Sequence, residues 1–150
     1  MEHGRSMIEI LGVLAVVGVL SIAGIVGFQK AMVHYKTNQL KDQLSTISSN
    51  LIVSFESLGN YTELGENKDD ATSLAVKLGV FPENMLQDDG SVRHAFGGNV
   101  YIRAVEYGDS EGAAFTIELD GLPKEIAVKL GTDTSNEGNQ EFMYIDLNAE

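Results

Sequence analysis

Among residues whose type and surroundings could do chemistry, Glu9 stands first. It is the single charged residue in the 22-residue run from Met7 to Phe28, MIEILGVLAVVGVLSIAGIVGF. A carboxylate costs about 2.5–3.5 kcal/mol at the centre of a membrane-inserted helix and less near its end. Glu9 therefore has one of two roles. It sits at an interface and favours the positive end of a helix dipole, or it meets a positive group from another molecule. The three histidines, His3, His34 and His94, are scattered and lack metal-ligand spacing. His94, just before Phe96-Gly97-Gly98, is expected to be a surface or turn residue. Asp133, Asn136, Glu137 and Asp146 could offer oxygens to calcium, but the segment has no EF-hand spacing and is equally ordinary loop composition. No metal site and no cofactor is expected. The chain has no Cys, so it has no disulfide, thiolate metal site or cysteine nucleophile. It shows no nucleophile elbow, phosphate-binding glycine loop or zinc-protease motif, and no enzyme is expected.

Charge divides the 150 residues into two parts. Ten Lys+Arg against 22 Asp+Glu leave a net −12. Residues 1–58 hold four basic and four acidic residues, so the whole excess lies in residues 59–150. Such a balance argues against nucleic-acid binding, which requires a basic footprint. The acidic part reads as a solvated face that keeps heads apart and makes their association salt-sensitive. Apolar residues make up 43% and charged ones 21%, a globular rather than a disordered composition.

The element that must position Glu9 is a helix. At 1.5 Å per residue the run Met7–Phe28 extends roughly 33 Å, enough to cross the hydrocarbon core. No Pro interrupts it, and Gly12, Gly18 and Gly24 recur every six residues, which is not the four-residue spacing of a simple dimer seam. Beyond Phe28 the pattern becomes amphipathic. Leu40, Leu44, Ile47, Leu51, Phe55 and Leu58 form one stripe, while Asn38, Gln39, Lys41, Asp42, Gln43, Ser45, Ser48 and Ser49 fill the other face. Gly59-Asn60 is the first stop signal. One helix is expected from Ser6 to Leu58, half membrane anchor and half core element of a head.

Two processing routes fit the N-terminus. Ser21-Ile22-Ala23 has the small-x-small pattern of a signal cleavage site before Gly24, but an acidic residue in the apolar region and a scarcely basic start disfavour it. The run Gly4-Arg5-Ser6-Met7-Ile8-Glu9, followed by about twenty apolar residues, resembles the prepilin cleavage and methylation motif of type IV pilins and pseudopilins. The resemblance implies a cut after Gly4, N-methylation of Arg5, and Glu9 as fifth residue of the mature chain. It further implies that the new α-amino group, positive at neutral pH, meets Glu9 of a neighbouring subunit. Leaving either partner alone in a low-dielectric bundle is costly, so Glu9 would set the axial register. The chain departs from the family in having Arg5 where an apolar residue is common, Glu2 in a short leader, and no Pro in the span.

In the back part, Ala71–Leu78 reads as a helix capped by Asp69 or Asp70 and stopped by Gly79. Pro82 and Asp88-Asp89-Gly90 mark a connection and a turn. Residues 100–105 and 114–119 read as strands joined by a Gly108–Gly112 loop. Pro123–Leu130 reads as a helix ended by Gly131, and residues 142–147 as a last strand. The strings Phe96-Gly97-Gly98-Asn99-Val100, Phe115-Thr116-Ile117 and Gly121-Leu122-Pro123 are similar to heads of type IVb-like pilins, a group whose usual disulfide is missing here.

The expected fold is α+β and pilin-like: a long N-terminal helix, half membrane-spanning and half amphipathic, packed against a small antiparallel-sheet head. Its expected parts are a leader (1–4), the transmembrane half of the helix (5–28), the amphipathic half (29–58) and the head (59–150). The resemblance implies a structural subunit of a type IV pilus-like filament. Its partners would be copies of itself, the prepilin peptidase, the assembly platform and other pilins. It would pass from the bacterial inner membrane to an extracellular pilus or periplasmic pseudopilus. The alternatives are a minor pilin or a type II secretion pseudopilin and, in a different class, a membrane-anchored or secreted periplasmic binding module.

Overall fold

A computed structural model describes residues 3–65, 70–107 and 110–136. The chain divides into two compact units, Met1–Lys36 and Thr37–Glu150. Helix α1 (His3–Phe55) is common to both. Within the first unit its apolar residues, Met7 to Phe28, are exposed. It is long and apolar enough to cross a membrane, and none of its most apolar window is buried. Ser21, the hydroxyl in this stretch, donates to the Val17 carbonyl at 2.8 Å, which satisfies it within the helix.

In the second unit α1 becomes a core element. Leu40, Ile47, Leu51 and Phe55 are buried, as the spacing predicts, and Leu44 packs against the cluster that holds Leu40. The helix ends three residues earlier than expected. The N–H groups of Leu58 and Gly59 both bond the Phe55 carbonyl, closing the last turn there, and Leu58 is left exposed. Gln43 is a second departure. It belongs to the buried face, because it stands three residues after Leu40 and four before Ile47.

Strands β1 (Val100–Tyr107) and β2 (Ser110–Leu119) form an antiparallel pair. Val100, Ile102 and Ala104 lie opposite Leu119, Ile117 and Phe115, and this face joins Ile47, Leu51 and Phe55 in the main core. The opposite face carries Tyr101, Arg103 and Val105 against Glu118, Thr116 and Ala114. Pairing runs from Val100↔Leu119 to Tyr107↔Ser110, with a bulge between Val105 and Tyr107. The expected 108–112 loop is therefore too long, because 110–112 belong to β2. The far edge of β1 is also paired: the Ala71 N–H donates to the Ile102 carbonyl at 2.8 Å, and the Thr72 hydroxyl accepts from the Ile102 N–H at 3.0 Å.

Helix α2 (Thr72–Lys77) closes with a Schellman motif. The Val80 N–H reaches the Ala75 carbonyl and the Gly79 N–H the Val76 carbonyl. Gly79 holds φ +70, the left-handed conformation this motif demands. Residues 85–100 fold as two successive tight turns, the Leu86↔Val92 bridge closing the Asp88-Asp89-Gly90 turn and the Arg93↔Asn99 bridge closing the 94–98 turn. Phe81, Met85 and Val92 are buried in the main core, and the aromatic trio Phe55, Tyr61 and Phe115 packs with ring centroids 5.6 and 5.0 Å apart.

Helix α3 (Lys124–Asn136) starts after Pro123 and runs through Gly131, where its end was expected. A helical Gly costs only about 1 kcal/mol relative to Ala, and the Thr132 hydroxyl donates back to the Val128 carbonyl at 2.6 Å in the next turn. Its buried Ile126 and Leu130 pack on Leu40 of α1 in a second core cluster. The expected strand at 142–147 lies outside the described residues. The architecture is α+β and pilin-like, a long N-terminal apolar helix with a small antiparallel sheet.

Candidate functional site

The N-terminal candidates lie together at the start of α1. Gly4, Arg5 and Glu9 occupy its first two turns. The Gly4–Arg5 bond falls in the first turn, where backbone N–H groups have no intrahelical acceptor. Opening the helix there sacrifices few ladder bonds. Glu9 is exposed in the single chain, with Ile8 and Ile10 exposed on either side of it. A carboxylate among exposed apolar side chains has a poor environment in hydrocarbon until another molecule supplies a positive group.

Asp133 and Asn136 fall in the last turns of α3, and Glu137 and Asp146 lie outside the described residues. Among the described residues no group of His, Asp or Glu could hold a metal ion.

His94 does begin a turn, but it is buried, with 3% of its surface exposed. Its Nδ1 accepts from the Phe96 N–H at 3.1 Å, so Nε2 carries the proton and donates to the Asp120 carbonyl at 2.7 Å. Gln43, 4% exposed, reaches from α1 and accepts from the Ala95 N–H at 3.0 Å through Oε1. Gly98 closes this clasp. A Cβ there would fall 1.8 Å from the Asp120 carbonyl oxygen and 2.6 Å from His94 Nε2. The clasp ties α1, the 94–98 turn and the end of β2 together, so its work is to seat elements rather than to bind a ligand. The sequence carries a signal for it, a polar residue on an apolar stripe (Gln43), but the partner lies 52 residues away.

The ionisable groups with shifted protonation lie on the outside of the head. Burial opposes charge on Asp70. Hydrogen bonds from the Thr72 hydroxyl and N–H and the nearby Arg103 outweigh that, leaving its pKa lowered. Asp89 is lowered chiefly by hydrogen bonds from the Ser91 hydroxyl and N–H. Arg103 is raised by its bond to Glu118, whose carboxylate lies 2.9 Å away across the sheet. These groups hold turns and strands and do not converge on a cleft.

Comparison with known proteins gives one family. The model described as PilS N terminal matches residues 34–150. No curated protein and no solved structure matches the chain.

Proposed function

From the premise that the chain belongs to the PilS N-terminal family, a type IV pilin-related family of structural proteins, we propose that it is a structural subunit of a type IV pilus-like filament. The observation that carries the proposal is the unlike character of the two parts of α1. One part is apolar on every face, exposed, and marked by a single carboxylate, Glu9. The other lays one stripe into the core of the head. A helix that crosses a membrane alone needs the first property. Helices that later bundle with copies of themselves can bury the same surface a second time.

In this proposal a peptidase cuts after Gly4 and frees the α-amino group of Arg5. The amine of one subunit meets Glu9 of the next as the helices stack. Burial among apolar helices lowers the local dielectric, so a mispaired Glu9 is penalised and a correctly staggered subunit is favoured. The acidic heads stay in water, outside the helix bundle, and repel one another except where contact is close.

The test is the mature N-terminus, measured by intact-mass and peptide mass spectrometry from cells with and without the candidate prepilin peptidase. A peptidase-dependent start at Arg5, with or without an N-methyl group, is the expected result. A start at Gly24 would remove Glu9 from the mature chain and overturn the proposal. An unprocessed Met1 in cells that hold the peptidase would overturn it as well.

A further inference from the structure

Just beyond the apolar run, α1 carries two exposed basic side chains, Lys30 and His34, one turn apart on the same face. Phe28 and Tyr35, 65% and 64% exposed, stand seven residues apart and share another face. Between Glu9 and Asp42 the sequence contains no acidic residue. No carboxylate of this stretch is available to Lys30 or His34, although the chain as a whole is strongly acidic.

We infer that Lys30 and His34 form a subsite for the phosphodiester of an anionic phospholipid. The inference rests on the proposal that residues 7–28 span a membrane. With Phe28 at the edge of the hydrocarbon, Lys30 lies about 3 Å and His34 about 9 Å further along the axis. The headgroups add roughly 5–7 Å to each side of the hydrocarbon core, so Lys30 lies within that layer, and His34 starts beyond it and leans back toward it, because helical side chains tilt toward the N-terminus. The ammonium of Lys30 has three donors and the imidazole of His34 one or two. Cβ atoms about 5–6 Å apart let both reach one phosphate. Phe28 occupies the position where aromatic rings settle between acyl chains and headgroups, and Tyr35 stands about 10.5 Å further along the axis. The competing occupant is the acidic head of a second copy. Lipid is favoured because the basic pair follows directly on the span, with Lys30 two residues beyond Phe28.

The subsite holds the unassembled subunit at one depth and is emptied when the helix leaves the bilayer. It gives extraction a lipid dependence that Glu9 does not supply.

The experiment reconstitutes the full chain in vesicles of equal parts phosphatidylglycerol and phosphatidylcholine. Native mass spectrometry then counts the lipid retained on the protein. The wild type should retain phosphatidylglycerol preferentially. Lys30→Gln should lower that preference about fivefold, the worth of one basic residue at a charged membrane surface, and Lys30→Arg should restore it. Lys30→Gln with His34→Gln should abolish it. Flotation after a carbonate wash reports the span separately, and extraction of the chain would refute membrane insertion rather than the subsite. A chain that stays inserted but retains both lipids equally refutes the subsite. So does a Lys30→Gln variant that keeps its lipid preference but loses association between copies, which would make the second copy the occupant.

Discussion

Gly98→Ala is the substitution whose cost follows most directly from geometry. Gly98 does not need glycine for its backbone angles, because its φ is not in the left-handed region. It needs glycine for space. The added Cβ would stand 1.8 Å from the Asp120 carbonyl oxygen, and a carbon and an oxygen come no closer than about 3.3 Å without strain. One of the two backbones must therefore retreat by about 1.5 Å. That movement breaks the 2.7 Å bond between His94 Nε2 and the same carbonyl. Overpacking costs about 1–3 kcal/mol, and a stranded buried donor about 1–3 kcal/mol more. The expected loss is about 2–6 kcal/mol, a large part of the roughly 5–15 kcal/mol that holds a domain folded. Gly97→Ala is the control. Nothing lies within 4 Å of a Cβ there, and its φ of +90° is the only obstacle, worth about 1–2 kcal/mol. Urea unfolding of the full chain in detergent, followed by near-ultraviolet dichroism of its five tyrosines, measures both. Equal midpoint shifts for the two variants would refute the steric account of the clasp.

Two other perturbations separate assembly from folding. Glu9→Ala should leave membrane insertion and head stability unchanged and reduce the yield of sheared filaments, and normal filaments would sink the register role of Glu9. Asp70→Asn addresses acid stability. A carboxylate whose folded pKa lies below its unfolded value stabilises the fold above the unfolded value, near 3.9. That contribution is lost as pH falls through the folded value. The pKa of Asp70 is lowered, so Asp70→Asn should flatten the decline in urea midpoint below about pH 4. Asp70 is exposed, so the difference should be small. An acid limb identical to that of the wild type would exclude Asp70 as a contributor.

Membership of a pilin-related family rests on residues 34–150, whereas the prepilin-like motif lies in residues 4–9. The two arguments are therefore independent. A head of this family attached to a helix with Gly4, Glu9 and an unbroken apolar run is more informative than either part alone, because each part has a different physical reason for its composition.

Local periodicity made much of the fold legible in the sequence. The change from an all-apolar to an amphipathic helix, the strand pair around residue 108, the Asp88-Asp89-Gly90 turn and the Gly79 stop all depend on neighbours within a few residues. Glu9 stands out in the sequence for a related reason. A lone carboxylate in an apolar run is anomalous whatever surrounds the helix. Periodicity was less informative at ends, where competing bonds decide. Gly131 did not stop α3, since Ile126 and Leu130 bury against Leu40, and Leu58 fell outside the helix because Phe55 closes the turn. The clasp left one local mark, the polar Gln43 at a position of the apolar stripe, and no sign of its partners. That Gln43 faces inward, that His94 is buried with a defined tautomer, and that Gly98 must lack a side chain all depend on residues up to 52 positions apart. Sequence alone determined which segment is long and apolar enough to cross a membrane and where its one charge sits, because hydropathy and helical pitch act locally. Which polar side chains pass inside the head was decided only by tertiary structure, because a buried donor or acceptor is tolerated only where a distant backbone supplies its partner.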